Sequence, residues 1–516
     1  MAKEVSMEEK LWKSCNKLRG SVEPAEYKHI VLGLIFLKYA GDRFNQQQDK
    51  LKVDGQEKFI DMPEFYSKDN VFFLPKTARW SYIMDNAKQD DISIILDTAF
   101  SDIEKSNKDL RGALPSNYYS RVGLETNKLA SLLDVINSID TTKDNEQDVI
   151  GRVYEYFLSQ FAIKEGKGKG EFYTPKSIVN LIAEIIEPYD GTIYDPCCGS
   201  GGMFVQSLKF IENHQGNTKN ISVYGQELTG TTRKLALMNL AIRGISANLG
   251  EKAADTFAND QHKDKRFDYI MANPPFNLSD WREENELIND YRWNGFDVPP
   301  TSNANYAWIL HMLSKLSENG IAGFLLANGA LNGSGVEYNI RKKLIEQGLI
   351  EAIIILPRKL FYSTDISVTL WILNKNKKQR KVVKNNVELN YRDRINEILF
   401  LDLRQWGSPF EKKFVELTAE ERKKIVDTIK CWQQHYENFD NTPEFSYSAN
   451  IEEIRENDYS LVPSQYIEFV NKDIEFNFDE EMSKLSTEFE KLLDEEKQST
   501  EELLEIFKGL GYEIKL

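Results

Sequence analysis

Thr192-Ile-Tyr-Asp-Pro-Cys-Cys-Gly-Ser-Gly-Gly202 decides the fold: a short β-rich run stops at Asp195 and gives way to a glycine-rich turn, with helical sequence beyond it. Glycines let the backbone turn sharply and come close to a ligand. A strand feeding a helix through such a turn forms the usual crevice of an open α/β sheet. Between about Ser177 and Asn374 β-rich runs alternate with helical ones: Thr192 to Asp195, Ile221 to Gln226, Phe267 to Ala272, Ile321 to Ala327, Ile350 to Leu356 and Ile366 to Leu373. That alternation predicts a doubly wound α/β sheet. The last two runs lie too close together for a crossover helix, so they pair antiparallel. The expected core is Rossmann-like, mostly parallel with one reversed strand.

The flanks read differently. From Leu11 to about Asp140 apolar residues fall at helical spacing, as in Ile30, Leu34 and Leu37, and predict an all-α N-terminal domain. Asp144-Asn145 offers an N-cap for a helix whose face carries Val149, Ile150, Val153, Tyr154, Phe157 and Phe161, expected to bridge two domains. Lys164-Glu-Gly-Lys-Gly-Lys-Gly170 reads as a flexible linker, with phosphate binding as the second reading. In the tail, Met482, Leu485, Phe489 and Leu492 at three and four spacing, then Ser499 with Glu502 as a capping box, predict two terminal helices. The domains are therefore expected at 1–143 (helical), 144–170 (bridge and linker), 171–400 (core) and 401–516 (C-terminal extension for subunit assembly).

A chain of 516 residues exceeds what one core usually absorbs. Its first ten residues are charged and lack a signal-peptide core, which predicts a cytoplasmic protein. The most apolar run, Ile30 to Leu37, is too short to cross a bilayer and reads as a core helix. Cys15, Cys197, Cys198 and Cys431 form no CxxC pair and the five histidines are scattered, so neither a disulfide framework nor a metal site is expected. A formal net charge of −16 suits a protein whose DNA contacts come mostly from a partner, because binding a polyanion relies on Lys and Arg.

Three motifs carry the chemistry. At the first, Asp195 and the turn Gly199-Ser200-Gly201-Gly202 are followed by Glu227, at the end of the next strand, where a carboxylate suits a ribose diol. Asp255 can receive an adenine amino group, and the glycine spacing falls short of a full dinucleotide fingerprint, which favours S-adenosylmethionine (SAM) over NAD. In the second, Glu171-Phe172-Tyr173-Thr174-Pro175-Lys176 opens a helix and can present an aromatic face to the sulfonium, although Phe172 alone reads equally as a hydrophobic staple. The third, Asn273-Pro274-Pro275-Phe276, ends a strand with two oxygens, the Asn273 side chain and the Pro274 carbonyl, that can each accept a hydrogen from one planar amino group. Two such acceptors favour the pyramidal, nucleophilic form of the nitrogen, and Phe276 can stack on a base flipped from a duplex. The chain thus reads as an amino-methyltransferase.

Other residues are weighed against plainer roles. Cys197 and Cys198 lie in the donor turn and read as buried small residues, and His311 as a packed helix residue. Trp308 and Phe361-Tyr-Ser-Thr364 are candidates for the base pocket, and the basic run Asn374-Lys-Asn-Lys-Lys-Gln-Arg-Lys381 reads as a solvated loop or a phosphate contact.

These motifs, with Leu11-Trp-Lys, Lys38-Tyr-Ala-Gly-Asp-Arg43, Gly151-Arg-Val-Tyr-Glu155, Leu356-Pro-Arg-Lys-Leu-Phe-Tyr362 and Asn457-Asp-Tyr-Ser-Leu-Val-Pro463, resemble the modification (methyltransferase) subunit of type I restriction-modification systems, over nearly the whole chain. The order of motifs, donor before amine, is similar to the γ class of N6-adenine DNA methyltransferases. The resemblance implies that Asn273 to Phe276 hold the target base and that Glu171 to Lys176, Ser200 to Gly202 and Glu227 contact SAM. It implies DNA as substrate, a specificity subunit that selects the site, a restriction subunit that cleaves, and a second copy of the methylase chain. One departure is Asp365-Ile-Ser367, where many relatives carry a proline after the isoleucine. A protein-glutamine methyltransferase, a stand-alone DNA amino-methyltransferase and a noncatalytic SAM-dependent assembly module remain as alternatives.

Overall fold

The computed structural model describes residues 6–20, 22–69, 71–115, 117–139, 149–165, 174–361, 365–410, 414–470 and 478–509. Two compact units result, 1–468 and 469–516. The proposed N-cap at Asp144-Asn145, most of the glycine-lysine linker, Glu171 to Tyr173 and Tyr362 to Thr364 lie outside the described residues.

The first unit opens with helices α1 (Met7–Leu18), α2 (Pro24–Val53), α3 (Glu64–Ser67), α4 (Trp80–Asp85), α5 (Ile92–Ser106), α6 (Tyr119–Val122), α7 (Thr126–Asn137) and α8 (Val149–Glu165). The apolar run Ile30 to Leu37 is buried in the middle of α2, as expected of a core helix. Along α8, Val153, Tyr154, Phe157 and Phe161 are buried, and Trp12 of α1 packs edge-on against Phe157 and Phe161 at 5.3 and 4.7 Å. Among the described residues no helix is long and apolar enough to cross a membrane.

The chain continues through α9 (Lys176–Ile186), β1 (Gly191–Asp195), α10 (Gly202–Asn213), β2 (Ile221–Gly225), α11 (Gly230–Ile242), β3 (Ala247–Asn248), β4 (Phe267–Ala272), α12 (Asn305–Lys315), β5 (Leu316–Ala327), α13 (Val336–Glu346), β6 (Ile350–Ile355) and β7 (Val368–Asn374). Then come β8 (Arg380–Lys384), β9 (Val387–Tyr391), β10 (Glu397–Asp402), β11 (Ser408–Phe410), β12 (Phe414–Glu416), α14 (Ala419–Gln434), β13 (Ser446–Asn450) and α15 (Ile451–Glu456). Nine strands form one sheet in the order β13-β10-β6-β7-β5-β4-β1-β2-β3. β7 runs antiparallel to both β5 and β6, the reversed strand expected from the short connection. A second reversed strand, β13, pairs with β10 at the far edge, so the C-terminal stretch adds strands as well as helices.

Alternation along the strands sends side chains to two cores. Ile193, Tyr269, Met271 and Leu325 pack with α9, α10, α11 and α14 on one face. Tyr194, Ile270, Phe324 and Trp371 pack with α12, α13 and α15 on the other. Helix α11 belongs to two cores at once: Ala236 and Leu240 face the sheet, while Leu235, Met238 and Ile242 belong to the core of the N-terminal helices. Strand order reverses beside β1, and the crevice at the carboxyl ends of β1 and β4 is where an open α/β sheet holds its ligand.

Among the described residues the second unit holds one continuous helix, α16 (Phe478–Gly509), where two were expected. Leu493-Asp-Glu-Glu-Lys-Gln-Ser-Thr-Glu-Glu502 contains neither glycine nor proline, and the Ser499–Glu502 pair sits in mid-helix rather than capping a new one.

Candidate active site

β1 delivers Asp195 to the crevice, and the turn after it is clamped from several sides. Gly199 and Gly201 take left-handed φ of 53° and 78°, which accounts for glycine at those two positions. The Cys198 amide donates to the Gln226 carbonyl at 2.9 Å, Thr256 Oγ1 to the Pro196 carbonyl at 2.6 Å, and Asn239 Nδ2 from α11 to the Ser200 carbonyl at 2.8 Å. Gly202 needs no unusual φ, yet a Cβ built there, as at Gly199, meets no atom within 4 Å. Both therefore border open space that a ligand can approach closely.

Glu227, just beyond β2, accepts from the Gly199 amide at 3.0 Å and from the Thr229 amide at 2.9 Å. Thr229 Oγ1 also donates to it at 3.2 Å, so Glu227 braces the turn from beside the second strand. Asp255 caps its own turn, accepting at Oδ1 from the Phe257 and Ala258 amides at 2.7 and 2.8 Å. Asp195 is buried, accepts from the Cys197 amide at 3.0 Å, and is pushed up to about 7, first by loss of solvent and further by the nearby Glu227 charge. Burial likewise holds the thiols of Cys197 and Cys198 well above their ordinary range, so neither is poised as a nucleophile.

A single cleft brings the three motifs together. Thr174, Lys176, Asp195, Gly199, Ser200, Gly202 and Asn273 all line it. Pro175 sits at the N-cap of α9 and Gly201 at the N-cap of α10. Asn273 follows the last residue of β4, and its Nδ2 donates to Thr174 Oγ1 at 2.9 Å, so the second motif orients the third. Its Oδ1 is buried with no hydrogen-bond partner, and among the described residues no donor reaches the Pro274 carbonyl. Phe276 meets Phe361 edge-on at 6.1 Å, so Phe361 supports that ring from the buried side.

The turn after Phe276 is held by a reciprocal amide pair that the sequence reading missed. Asn277, at φ 52°, donates its amide to Asn305 Oδ1 at 3.1 Å and accepts from Asn305 Nδ2 at 2.8 Å. No local spacing links residues 28 positions apart, so only the fold reveals the pair. Glu155, Asn239 and Arg243 also line the cleft and were equally invisible.

Several candidates stand elsewhere. Trp308 does not line the cleft; its ring packs at 4.3 Å on Phe257 in the core beneath α12. His311 is fully buried beside Tyr194 and held down at about 3 by that burial, a packed residue as expected. Within the basic run Lys377 turns inward, its Nζ donating to the Ile350 and Glu397 carbonyls at 2.7 and 2.6 Å, while Lys375, Lys378 and Lys381 are exposed. Lys377 is thus spent on the fold rather than offered to phosphate.

The lining of the cleft suits SAM, with glycines that leave room for a ligand, the Asp195 carboxyl, and cations at Lys176 and Arg243, whereas Glu227 and Asp255 stand outside that lining.

Comparison with known proteins agrees with this geometry. The N-6 DNA methylase family model matches residues 145–474, and the HsdM N-terminal domain model matches 7–139. The chain is 35% identical to the type I restriction enzyme MjaIX methylase subunit of Methanocaldococcus jannaschii, over 98% of this chain and 91% of that protein. It is 38% identical to the HindI methylase subunit of Haemophilus influenzae, over 85% of this chain and all of that protein. The crystal structure of a type I restriction-modification methyltransferase subunit from Streptococcus thermophilus shares the fold with a TM-score of 0.73, at 24% identity, over 89% of this chain and 99% of that one. Motif order, cleft and full-length similarity agree, and the chain belongs to the N-6 DNA methylase family, among the methylase subunits of type I restriction enzymes.

Proposed function

We propose that this chain transfers the methyl group of SAM to the N6 amino group of adenine in DNA, as the methylase subunit of a type I restriction-modification complex in the cytoplasm. A specificity subunit selects the site, a restriction subunit cleaves unmodified DNA, and a second methylase chain completes the modification unit. The carrying observation is the unpartnered, buried Oδ1 of Asn273 in the cleft that the glycine turn also lines.

A buried acceptor without a donor costs about 1–3 kcal/mol, so its retention implies a ligand that supplies the hydrogen. An exocyclic amine supplies two, and Asn273 Oδ1 with the Pro274 carbonyl can take one each. Drawing both out of the ring plane frees the nitrogen lone pair and stabilises the positive charge that grows as the new N–C bond forms. When bound, SAM would supply an electrophilic methyl whose C–S bond breaks as that bond forms, leaving a neutral thioether, while the methylated nitrogen gives up one proton to water. Thr174 fixes the amide of Asn273, and the two prolines fix its backbone, so the acceptors need no reorganisation during reaction. Phe276, supported by Phe361, offers a ring for the flipped base to stack on, worth about 1–3 kcal/mol. Glu171 to Lys176, Asp195, the glycine turn, Glu227 and Asp255 are assigned to the cofactor.

The test is Asn273→Ala with the specificity partner and duplex DNA. Methyl transfer should fall by roughly 100-fold or more, while SAM binding and subunit assembly persist. Methylation at wild-type rate removes the role of Asn273. Labelling of a release-factor glutamine instead of DNA would turn the reading to a protein methyltransferase.

A further inference from the structure

Where α8 borders the cleft, one carboxylate faces three cations. Glu155 of α8 lies 3.7 Å from Lys176 at the start of α9, 3.4 Å from Lys209 of α10 and 3.7 Å from Arg243 at the end of α11, and accepts from Gln206 Nε2 at 3.0 Å. Three cations against one anion leave two positive charges in excess within this cluster. Arg243 is only 9% exposed. Its Nη1 donates to the Asn239 carbonyl at 3.0 Å and its Nη2 to the Gly151 carbonyl at 2.7 Å, but its Nε is buried with no partner. Glu155, Lys176, Gln206 and Arg243 line the same cleft as Asp195, the glycine turn and Asn273.

An excess of positive charge beside the cleft together with a buried, unsatisfied guanidinium N–H calls for an anion, and a carboxylate matches the guanidinium best. The proposed methyl donor carries one: its amino-acid end has a carboxylate and, one carbon away, an ammonium. We propose that Arg243 and Lys176 bind the carboxylate of that amino-acid end and that Glu155 receives its ammonium. The bridging helix would then supply a direct cofactor contact. This inference rests on the reading of the cleft as the SAM site.

The test compares two ligands by titration calorimetry on the full chain: S-adenosylhomocysteine, which has the amino-acid end, and 5′-methylthioadenosine, which lacks it. Arg243→Met should weaken S-adenosylhomocysteine about tenfold or more and leave methylthioadenosine nearly unchanged. Glu155→Gln should show the same selectivity to a smaller degree, and Arg243→Lys should restore part of the loss. Equal weakening of both ligands, or wild-type affinity for both, overturns the assignment. Should Arg243→Met fail to fold, as judged by circular dichroism, Lys176→Met carries the same comparison from a half-exposed position. Wild-type protein that binds neither ligand would overturn the cofactor reading itself, whereas wild-type binding with an indifferent Arg243→Met sinks only this inference.

Discussion

Asp195 sits where a negative charge is hardest to keep, buried at the end of β1 with a second carboxylate nearby. Its folded value of about 7 stands above the ordinary ~3.9 of an unfolded chain. The stability it contributes is therefore fully present below the unfolded value and lost as pH rises through about 7. A cationic ligand beside it reverses that preference by favouring the carboxylate, so SAM binding should release a proton and tighten between pH 6 and pH 8. Calorimetry in buffers of different ionisation enthalpy measures the proton release, and Asp195→Asn should abolish the pH dependence; a flat wild-type profile would remove the charge from the account. At this scale the sequence was informative because the chemistry is local: Asn273 to Phe276 and Gly199 to Gly202 are contiguous. The partners that aim them, Asn305 for Asn277 and Asn239 for the glycine turn, arrive from other elements and leave no periodic trace.

Elements with strong apolar periodicity were legible, and those defined by tertiary pairing were not. β4 falls on the expected residues, Phe267–Ala272, because its run is apolar and bounded. β13, Ser-Tyr-Ser-Ala-Asn, has no apolar signal and is a strand only because β10 pairs with it at the sheet edge. In the basic stretch, expected as a solvated loop or a phosphate contact, burial lowers Lys377 to about 8 and marks one lysine enclosed by the fold, while Lys375, Lys378 and Lys381 stay exposed. Helix α16 carries exposed Met482, Leu485, Phe489, Leu492, Leu503 and Ile506 at alternating three and four spacing, interrupted by Glu496 and Ser499. Such a seam fits a coiled-coil partner, with the polar interruption setting register. Phe489→Glu should abolish co-purification with the specificity subunit and leave SAM affinity of the isolated chain unchanged; an intact complex on size-exclusion chromatography would exclude α16 from assembly.

Taken whole, the molecule carries a net charge of −16, while Lys377 and Lys384, in and just beyond the basic run, are used internally. The isolated chain should bind duplex DNA weakly, with a shallow dependence of affinity on salt, and the specificity partner should increase both affinity and slope. Fluorescence anisotropy across a salt series checks this, and tight sequence-selective binding by the chain alone would contradict it. The division into a helical part and a mixed sheet was legible from the spacing of apolar residues, but the way they are joined was not. Helix α11 is gripped on opposite flanks, by Leu235, Met238 and Ile242 toward the N-terminal helices and by Ala236 and Leu240 toward the sheet, and its Asn239 holds the Ser200 carbonyl. A rod clamped in two vices transmits torque: rocking of the helical layer should twist the glycine turn that Asn239 holds, so posture and the assigned donor site share one lever.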